Sequence, residues 1–342
     1  MRITHRPHAR LGATDRAPRE DEADLPLAGS DMVWFDTVDV YRGAEKIDEV
    51  LFEDIRPEAQ KRLSRLRKPV CGLTMDRPRV MGILNVTPDS FSDGGTLGSV
   101  AEAVARAAEM AKYADILDIG GESTRPGAAL VSDDEEIART VPVIAAIRAA
   151  GIMTPISIDT RKAAVARAAV AAGAGMVNDV SGLTWDPHMA RTVAETGAAL
   201  CLMHTQGNPE TMQLDPHYDD VASEVFDWLE AQIQVAMDAG VKRDKIVADP
   251  GIGFGKTLQH NLTVLSRLSL YHDLGLPVLL GASRKRFIGT LGETTDPMDR
   301  LGGSLAVALH GAAQGMQFLR VHDVKETRQA LTLQRALSGL PL

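Results

Sequence analysis

From residue 77 onward the chain repeats one pattern eight times: a short apolar run, a polar or glycine-rich junction, then an alanine-rich stretch with helical spacing. The apolar runs cover 80–85, 115–119, 155–158, 175–178, 198–203, 246–248, 277–281 and 317–321, lengths that suit buried strands. The helical patterns cover 99–113, 133–150, 161–173, 187–196, 219–239, 259–270, 299–313 and 323–338. Several carry start signals, among them Ser132-Asp-Asp-Glu135 and Asp186-Pro187. Eight strands each leading into a helix are what a closed (β/α)8 TIM barrel requires. An open doubly wound sheet is the alternative, weakened because no Gly-rich dinucleotide fingerprint comes after the first strand. The expected fold class is therefore α/β, a TIM barrel over 77–342 preceded by an N-terminal extension.

Residues 1–30 mix Arg2, Arg6, Arg10, Arg16 and Arg19 with Glu20, Asp21, Glu22 and Asp24 without periodicity, which predicts a disordered arm. Residues 31–76 read as an extension packing on the barrel, with one or two short strands between Asp31 and Arg42 and a basic helix over 57–68. A net charge of −9 and a pI near 5.5 argue against nucleic-acid binding. No apolar run is long enough to span a bilayer, and the N-terminus lacks the apolar core of a secretory signal. A soluble cytoplasmic protein is expected. Cys71 and Cys201 have no metal-ligand spacing, and Cys201 lies in an apolar run as an inert buried thiol would.

The junction at the end of each strand is polar: Asn85; Gly120-Gly-Glu-Ser-Thr-Arg-Pro-Gly127; Asp159-Thr-Arg161; Asn178-Asp179; Met203-His204; Asp249-Pro-Gly-Ile-Gly-Phe-Gly-Lys256; Ser283-Arg-Lys-Arg286; Arg320-Val-His322. Barrel enzymes place their chemistry at that face. Taken singly, each has a bland explanation: Asp159 as a helix cap, Asp249-Pro-Gly as a turn, His204 as a satisfied core histidine. Eight in register are harder to dismiss. Asp159, Asn178, Asp249 and Lys285 suit a flat heterocycle with amide and amino edges, since a carboxylate accepts two N–H bonds from a guanidine-like edge. Asn85, Arg125, Arg320 and His322 suggest a phosphate or diphosphate site. No His/Cys cluster exists for zinc, whereas Mg2+ needs few protein ligands and is compatible with Asn85. Ser283 has no evident base partner, which disfavours covalent catalysis.

Two long loop signatures, Met81-Gly-Ile-Leu-Asn-Val-Thr-Pro-Asp-Ser-Phe-Ser-Asp-Gly-Gly95 and Asp118-Ile-Gly-Gly-Glu-Ser-Thr-Arg-Pro-Gly-Ala128, resemble those of the dihydropteroate synthase family. Ser157-Ile-Asp-Thr160, Asn178-Asp, Leu202-Met-His204, Asp249 to Lys256, Ser283-Arg-Lys285 and Arg320-Val-His-Asp323 come in family order, over roughly 77–335. The resemblance implies condensation of 6-hydroxymethyl-7,8-dihydropterin diphosphate with p-aminobenzoate, releasing diphosphate. It implies a pterin site of Asp159, Asn178, Met203, Asp249, Phe254 and Lys285, and a diphosphate site of Asn85, Thr124, Arg125, Arg320 and His322 with Mg2+ on Asn85. p-Aminobenzoate would meet Phe91, Thr124, Pro126, Ser283, Lys285 and Arg286, and Asp93, Asp159 and Lys285 would act in catalysis. Small-molecule substrates and a homodimer are expected. Gly302, Gly303, Ser304 and Ala308 permit a close helix contact, which internal packing explains equally well. A related barrel that passes methyl groups to a corrinoid protein, and a non-enzymatic pterin binder, are the alternatives.

Overall fold

The computed structural model describes residues 2–12, 25–86, 96–122, 130–207 and 211–341. The extension comes first and holds β1 (Ile3–Pro7), β2 (Arg10–Leu11), β3 (Leu25–Pro26), β4 (Val33–Phe35), β5 (Thr37–Arg42), β6 (Glu45–Leu51) and α1 (Pro57–Ser64). These strands make two antiparallel three-stranded sheets, β1-β5-β6 and β2-β4-β3. The expected disordered arm over 1–30 is thereby corrected for residues 3–7, 10–11 and 25–29. The partners that order β1 are remote in sequence, so local periodicity could not show them. Ile3 to Pro7 pair with Arg42 to Val38, and the His5 N–H donates to Asp273 Oδ2 at 2.9 Å. Arg62 Nε donates to the other oxygen of Asp273, also at 2.9 Å. Asp273 is buried and anchors the extension to the barrel. Asp273→Ala should lower unfolding free energy by roughly 2 kcal/mol in denaturant titration, because it leaves the buried His5 N–H without an acceptor and the half-buried Arg62 without its partner. A loss below about 1 kcal/mol would mean that the extension is held by its apolar contacts alone.

Strand β6 has no counterpart among the expected elements, because its residues are almost wholly exposed and it shows no apolar face. It is held by its ladder with β5 and by Lys46 Nζ, 2.6 Å from the buried carboxylate of Asp39.

The barrel strands are β7 (Arg79–Asn85), β8 (Ile116–Gly120), β9 (Ile156–Asp159), β10 (Met176–Asp179), β11 (Ala199–Met203), β12 (Ile246–Asp249), β13 (Leu279–Leu280) and β14 (Phe318–Val321). They form one parallel sheet in the order β12-β11-β10-β9-β8-β7-β14-β13. A parallel bridge between Ala248 and Val278 joins its two ends, so the sheet closes. Around it run α2 (Thr96–Met110), α3 (Asp133–Ala149), α4 (Ala163–Ala172), α5 (Met189–Thr196), α6 (Val221–Asp238), α7 (Leu258–Ser266), α8 (Arg286–Leu291), α9 (Leu301–Ala313) and α10 (Val324–Leu337). Ser132 caps α3 by accepting from Glu135 N, and Thr257 with His260 forms a capping box on α7. The helix expected to run to 270 instead ends at Ser266 and passes into a 3₁₀ segment, Leu268–Leu274, which carries Asp273. Gly303 packs inward, where a Cβ would meet Ile288 Cγ2 at 2.3 Å.

Strand side chains alternate between two faces. Val80, Leu84, Leu117, Ile119, Ile156 and Ile158 point outward and pack with the helices. Met81, Ile116, Met176, Cys201, Val247, Leu279 and Phe318 point inward and fill the lower barrel together with Val70 and Met75 of the extension. Burying Val70 and Met75 contributes roughly 1.5–3 kcal/mol each. The extension thus plugs the end opposite the chemistry. Two residues further along β8, β10, β12 and β14 the same inward phase turns polar, at Asp118, Asn178, Asp249 and Arg320. That layer is the site.

Candidate active site

The inward residues of the upper layer are Asn85, Asp118, Asp159, Asn178, Met203, Asp249 and Arg320, one from each barrel strand except β13. Asn85, Gly120 and Asp159 sit side by side in register across three strands. A Cβ on Gly120 would lie 3.4 Å from Asn85 Oδ1 and 3.6 Å from Asp159 Cβ, ordinary contact distances that place these two side chains at one end of the mouth.

Arg320 is the hub. Its Nε donates to Asp118 Oδ2 at 2.6 Å and its terminal nitrogen donates to Asp159 Oδ2 at 2.6 Å. Asn178 Nδ2 donates to the same Asp118 oxygen at 3.1 Å. Asp118 Oδ1 is buried with no hydrogen-bond partner among the described residues. Leaving such an acceptor unmatched costs free energy, and a ligand N–H removes that cost. Burial pushes the Asp159 carboxyl from its ordinary 3.8 up to about 7, the Arg320 guanidinium opposing and Asp118 assisting the rise.

Asp249 stands across the mouth. Its Oδ1 accepts from Gly251 N at 2.7 Å, while Oδ2 faces Gly281, 3.7 Å from where a Cβ would be. Burial raises its pKa, opposed by that amide bond and by Lys285. Lys285 donates to the Ile252 carbonyl and lies 4.2 Å from the centroid of the Phe254 ring. Burial drives its amine from 10.5 down to about 7 against the pull of Asp249. Met203 is buried against the loop after β12, its Cγ 3.4 Å from the Cβ position of Gly251.

Beside Lys285, at the end of β13, Ser283 Oγ accepts from the backbone N–H of His322 at 3.2 Å and contacts His322 Nδ1 at 3.1 Å. Arg284, with φ of 59°, is held by Asp323, its Nε donating at 3.1 Å. Arg286 is exposed at the start of α8. Phe91, Asp93, Thr124, Arg125 and Pro126 lie outside the described residues. Asp179 serves the loop instead of a ligand, accepting from Ser181 N, Ser181 Oγ and Leu183 N.

Attention to strand ends alone misses Asp118, which lies two residues inside its strand. Its signal is the period-two phase that it shares with Ile116 and Gly120. A cavity of about 540 Å³, lined by Trp185, His204, Tyr218, Trp228 and Phe254 among others, lies beside the cluster and contains none of its carboxylates. The convergence of Asp118, Asp159, Asp249 and Arg320 marks the centre of the site, with Phe254 as a shared wall.

Carboxylates, two amide side chains and a lysine around a barrel mouth define a site for a flat, polar-edged heterocycle. In agreement, residues 81–322 match the family described as pterin binding enzyme. The chain is 50% identical to the dihydropteroate synthase of Escherichia coli (strain K12) over 265 residues, 77% of this chain and 93% of that protein. Among solved structures, Xanthomonas albilineans dihydropteroate synthase with 4-aminobenzoic acid superposes with a TM-score of 0.73 at 49% identity, covering 79% of this chain and 96% of that one. Yersinia pestis dihydropteroate synthase in a sulfonamide drug complex gives a TM-score of 0.74 at 44% identity, with 80% and 100% covered. The chain belongs to the dihydropteroate synthase family of pterin-binding enzymes, and the activity is that of a transferase.

Proposed function

We propose that the chain joins the methylene carbon of a 6-hydroxymethyl-7,8-dihydropterin diphosphate to the amine of p-aminobenzoate by a dissociative displacement at the barrel mouth. The observation that carries this is the pairing of a buried acceptor on Asp118, unmatched among the described residues, with the inward Oδ2 of Asp249 on the opposite side. Two carboxylates facing each other across Asn178 and Lys285 can accept the several N–H groups of a pterin edge, with strong geometric selectivity.

When the methylene C–O bond breaks, its electron pair leaves with the diphosphate and positive charge spreads into the dihydropterin. Asp159, with Asp93 as its partner in the family pattern, stabilises that charge in a site with little water. The arylamine is a neutral nucleophile, so it needs placement more than activation: its lone pair forms the new C–N bond and its proton leaves to solvent or to the departing diphosphate. Arg320 and His322, with Thr124 and Arg125, are assigned to the diphosphate. Phe91, Pro126, Ser283, Lys285 and Arg286 are assigned to p-aminobenzoate.

Among the described residues, one group of three carboxylate and histidine ligands lies within 4.8 Å: His8, Asp39 and Glu49 in the extension. Lys46 already supplies its cation, at 2.6 Å from Asp39 and 2.7 Å from Glu49. The mouth offers instead the amide oxygen of Asn85, which suits a hard ion that keeps its waters and binds phosphate oxygens. Mg2+ held by Asn85 and the substrate would neutralise charge on the leaving diphosphate.

The relative bound to a sulfonamide makes inhibition of this chain testable. If bound diphosphate completes the p-aminobenzoate subsite, linkage requires each ligand to strengthen the other. A sulfonamide should bind at least tenfold more tightly when Mg2+ and diphosphate are present, and should compete with p-aminobenzoate. Equal affinity with and without diphosphate, read by calorimetry, would remove the ordered assembly of the site.

A further inference from the structure

The loop from Asp249 to Lys256 brings the two pterin contacts Asp249 and Phe254 to the mouth, yet its backbone has little stiffness of its own. Gly251, Gly253 and Gly255 all have left-handed φ, at 69°, 82° and 56°. The loop is also pressed against the end of β11, since a Cβ on Gly251 would come within 1.9 Å of the His204 carbonyl oxygen. Several side chains hold it: Asn261 Oδ1 accepts from Gly253 N at 2.7 Å, Gln213 donates to the Gly253 carbonyl at 2.6 Å, Tyr218 donates to the Gly255 carbonyl at 2.7 Å and Lys285 donates to the Ile252 carbonyl. The buried side chain of Lys256 is the one that reaches both Gly251 and Phe254. Its Nζ lies 3.0 Å from the Gly251 carbonyl oxygen, 3.1 Å from that of Phe254 and 2.8 Å from His204 Nδ1. Gly251 in turn donates its own N–H to Asp249 Oδ1 at 2.7 Å. One amine therefore clamps the Gly251 geometry that aims Asp249, and also the residue whose ring walls the pterin pocket.

We propose that Lys256, which itself touches no substrate, is the positioning residue that presets the pterin subsite, holding Asp249 and Phe254 in their binding arrangement before the substrate arrives. The proposal rests on the pterin reading of Asp249 and Phe254. The clamp does not depend on one protonation state. An ammonium donates all three bonds, with His204 accepting at Nδ1. A neutral amine donates two and accepts from His204 Nδ1–H. Burial favours the neutral amine, with nearby Asp249 opposing and Lys285 assisting, and burial together with Lys256 likewise keeps His204 uncharged. Preorganisation of this kind appears in ligand affinity, because the ordering cost is met in folding and not on binding.

The test is the full-length Lys256→Met variant, which keeps the stem and deletes the donors. Calorimetry with pterin-6-carboxylate should show affinity weakened at least tenfold. Binding of inorganic diphosphate with Mg2+, assigned to groups at the ends of β7 and β14 that Lys256 does not touch, should stay within twofold of wild type. In Lys256→Ala, added propylamine should restore part of the lost pterin affinity. Should the methionine variant not fold, Lys256→Gln, which keeps an N–H donor on a shorter stem, carries the same comparison. Unchanged pterin affinity would overturn the proposal, and so would an equal loss of both ligands, which would mark Lys256 as a general support of the scaffold. Wild-type protein that failed to bind the pterin would instead overturn the pterin reading itself.

Discussion

Arg320→Met should cost roughly 3 kcal/mol of folding stability near neutral pH, the lower end for removing one partner from a buried ion pair, because Asp118 is fully buried while Arg320 and Asp159 keep some exposure. Arg320 bonds Asp118 and Asp159 at 2.6 Å each, and among the described residues no other cation bridges the two. The pH dependence gives the prediction its sign. The Asp159 carboxyl is already raised from 3.8 to about 7, so its contribution to stability is full below its ordinary value and is lost as pH rises through 7. Without the guanidinium, protonation becomes still more favourable in the folded state. The deficit should therefore be largest at pH 8 and shrink toward pH 5, as urea titrations at the two values would read. A deficit that grew on acidification would contradict the buried-carboxylate account. Turnover should be lost at both.

Asp249→Asn should abolish pterin binding while leaving the fold intact. The amide oxygen can still accept from Gly251 N, so the loop retains the bond now made at 2.7 Å. The other position changes from acceptor to donor, and it faces the substrate's own N–H groups. A buried donor–donor mismatch is worth about 3 kcal/mol or more, which is a hundredfold or greater loss of affinity. Melting should stay within a few degrees of wild type, because removing a carboxylate that burial disfavours offsets the altered contacts. Near-normal pterin affinity would take Asp249 out of the site.

The barrel was legible because its strands are buried on both faces and therefore read as uninterrupted apolar runs. All eight fall within two residues of their expected places at either end, although the β13 ladder is only Leu279–Leu280. The polar junctions were legible for the same reason, as breaks in those runs. Asp118 was hidden because it interrupts an apolar strand from within, where a single inward carboxylate looks like noise until Arg320 is placed opposite it. The partnership of His204 with Lys256 was equally out of reach, since 52 positions separate them. In the extension, β4, β5 and α1 stand where short strands and a basic helix were expected, whereas β1 and β6 were hidden for a different reason. β1 and β6 are stabilised by ladder partners and by Asp39 and Asp273, and neither carries a local apolar signature strong enough to register.

The chemistry proposed for this mouth is displacement of diphosphate from a pterin by an arylamine. It is tested most directly by incubating the purified chain with Mg2+ and 6-hydroxymethyl-7,8-dihydropterin diphosphate and monitoring diphosphate release with and without p-aminobenzoate. Catalytic release that requires p-aminobenzoate, with dihydropteroate formed in equal amount, is the predicted result. Catalytic release at the same rate without p-aminobenzoate, or no release with both substrates present, would contradict it.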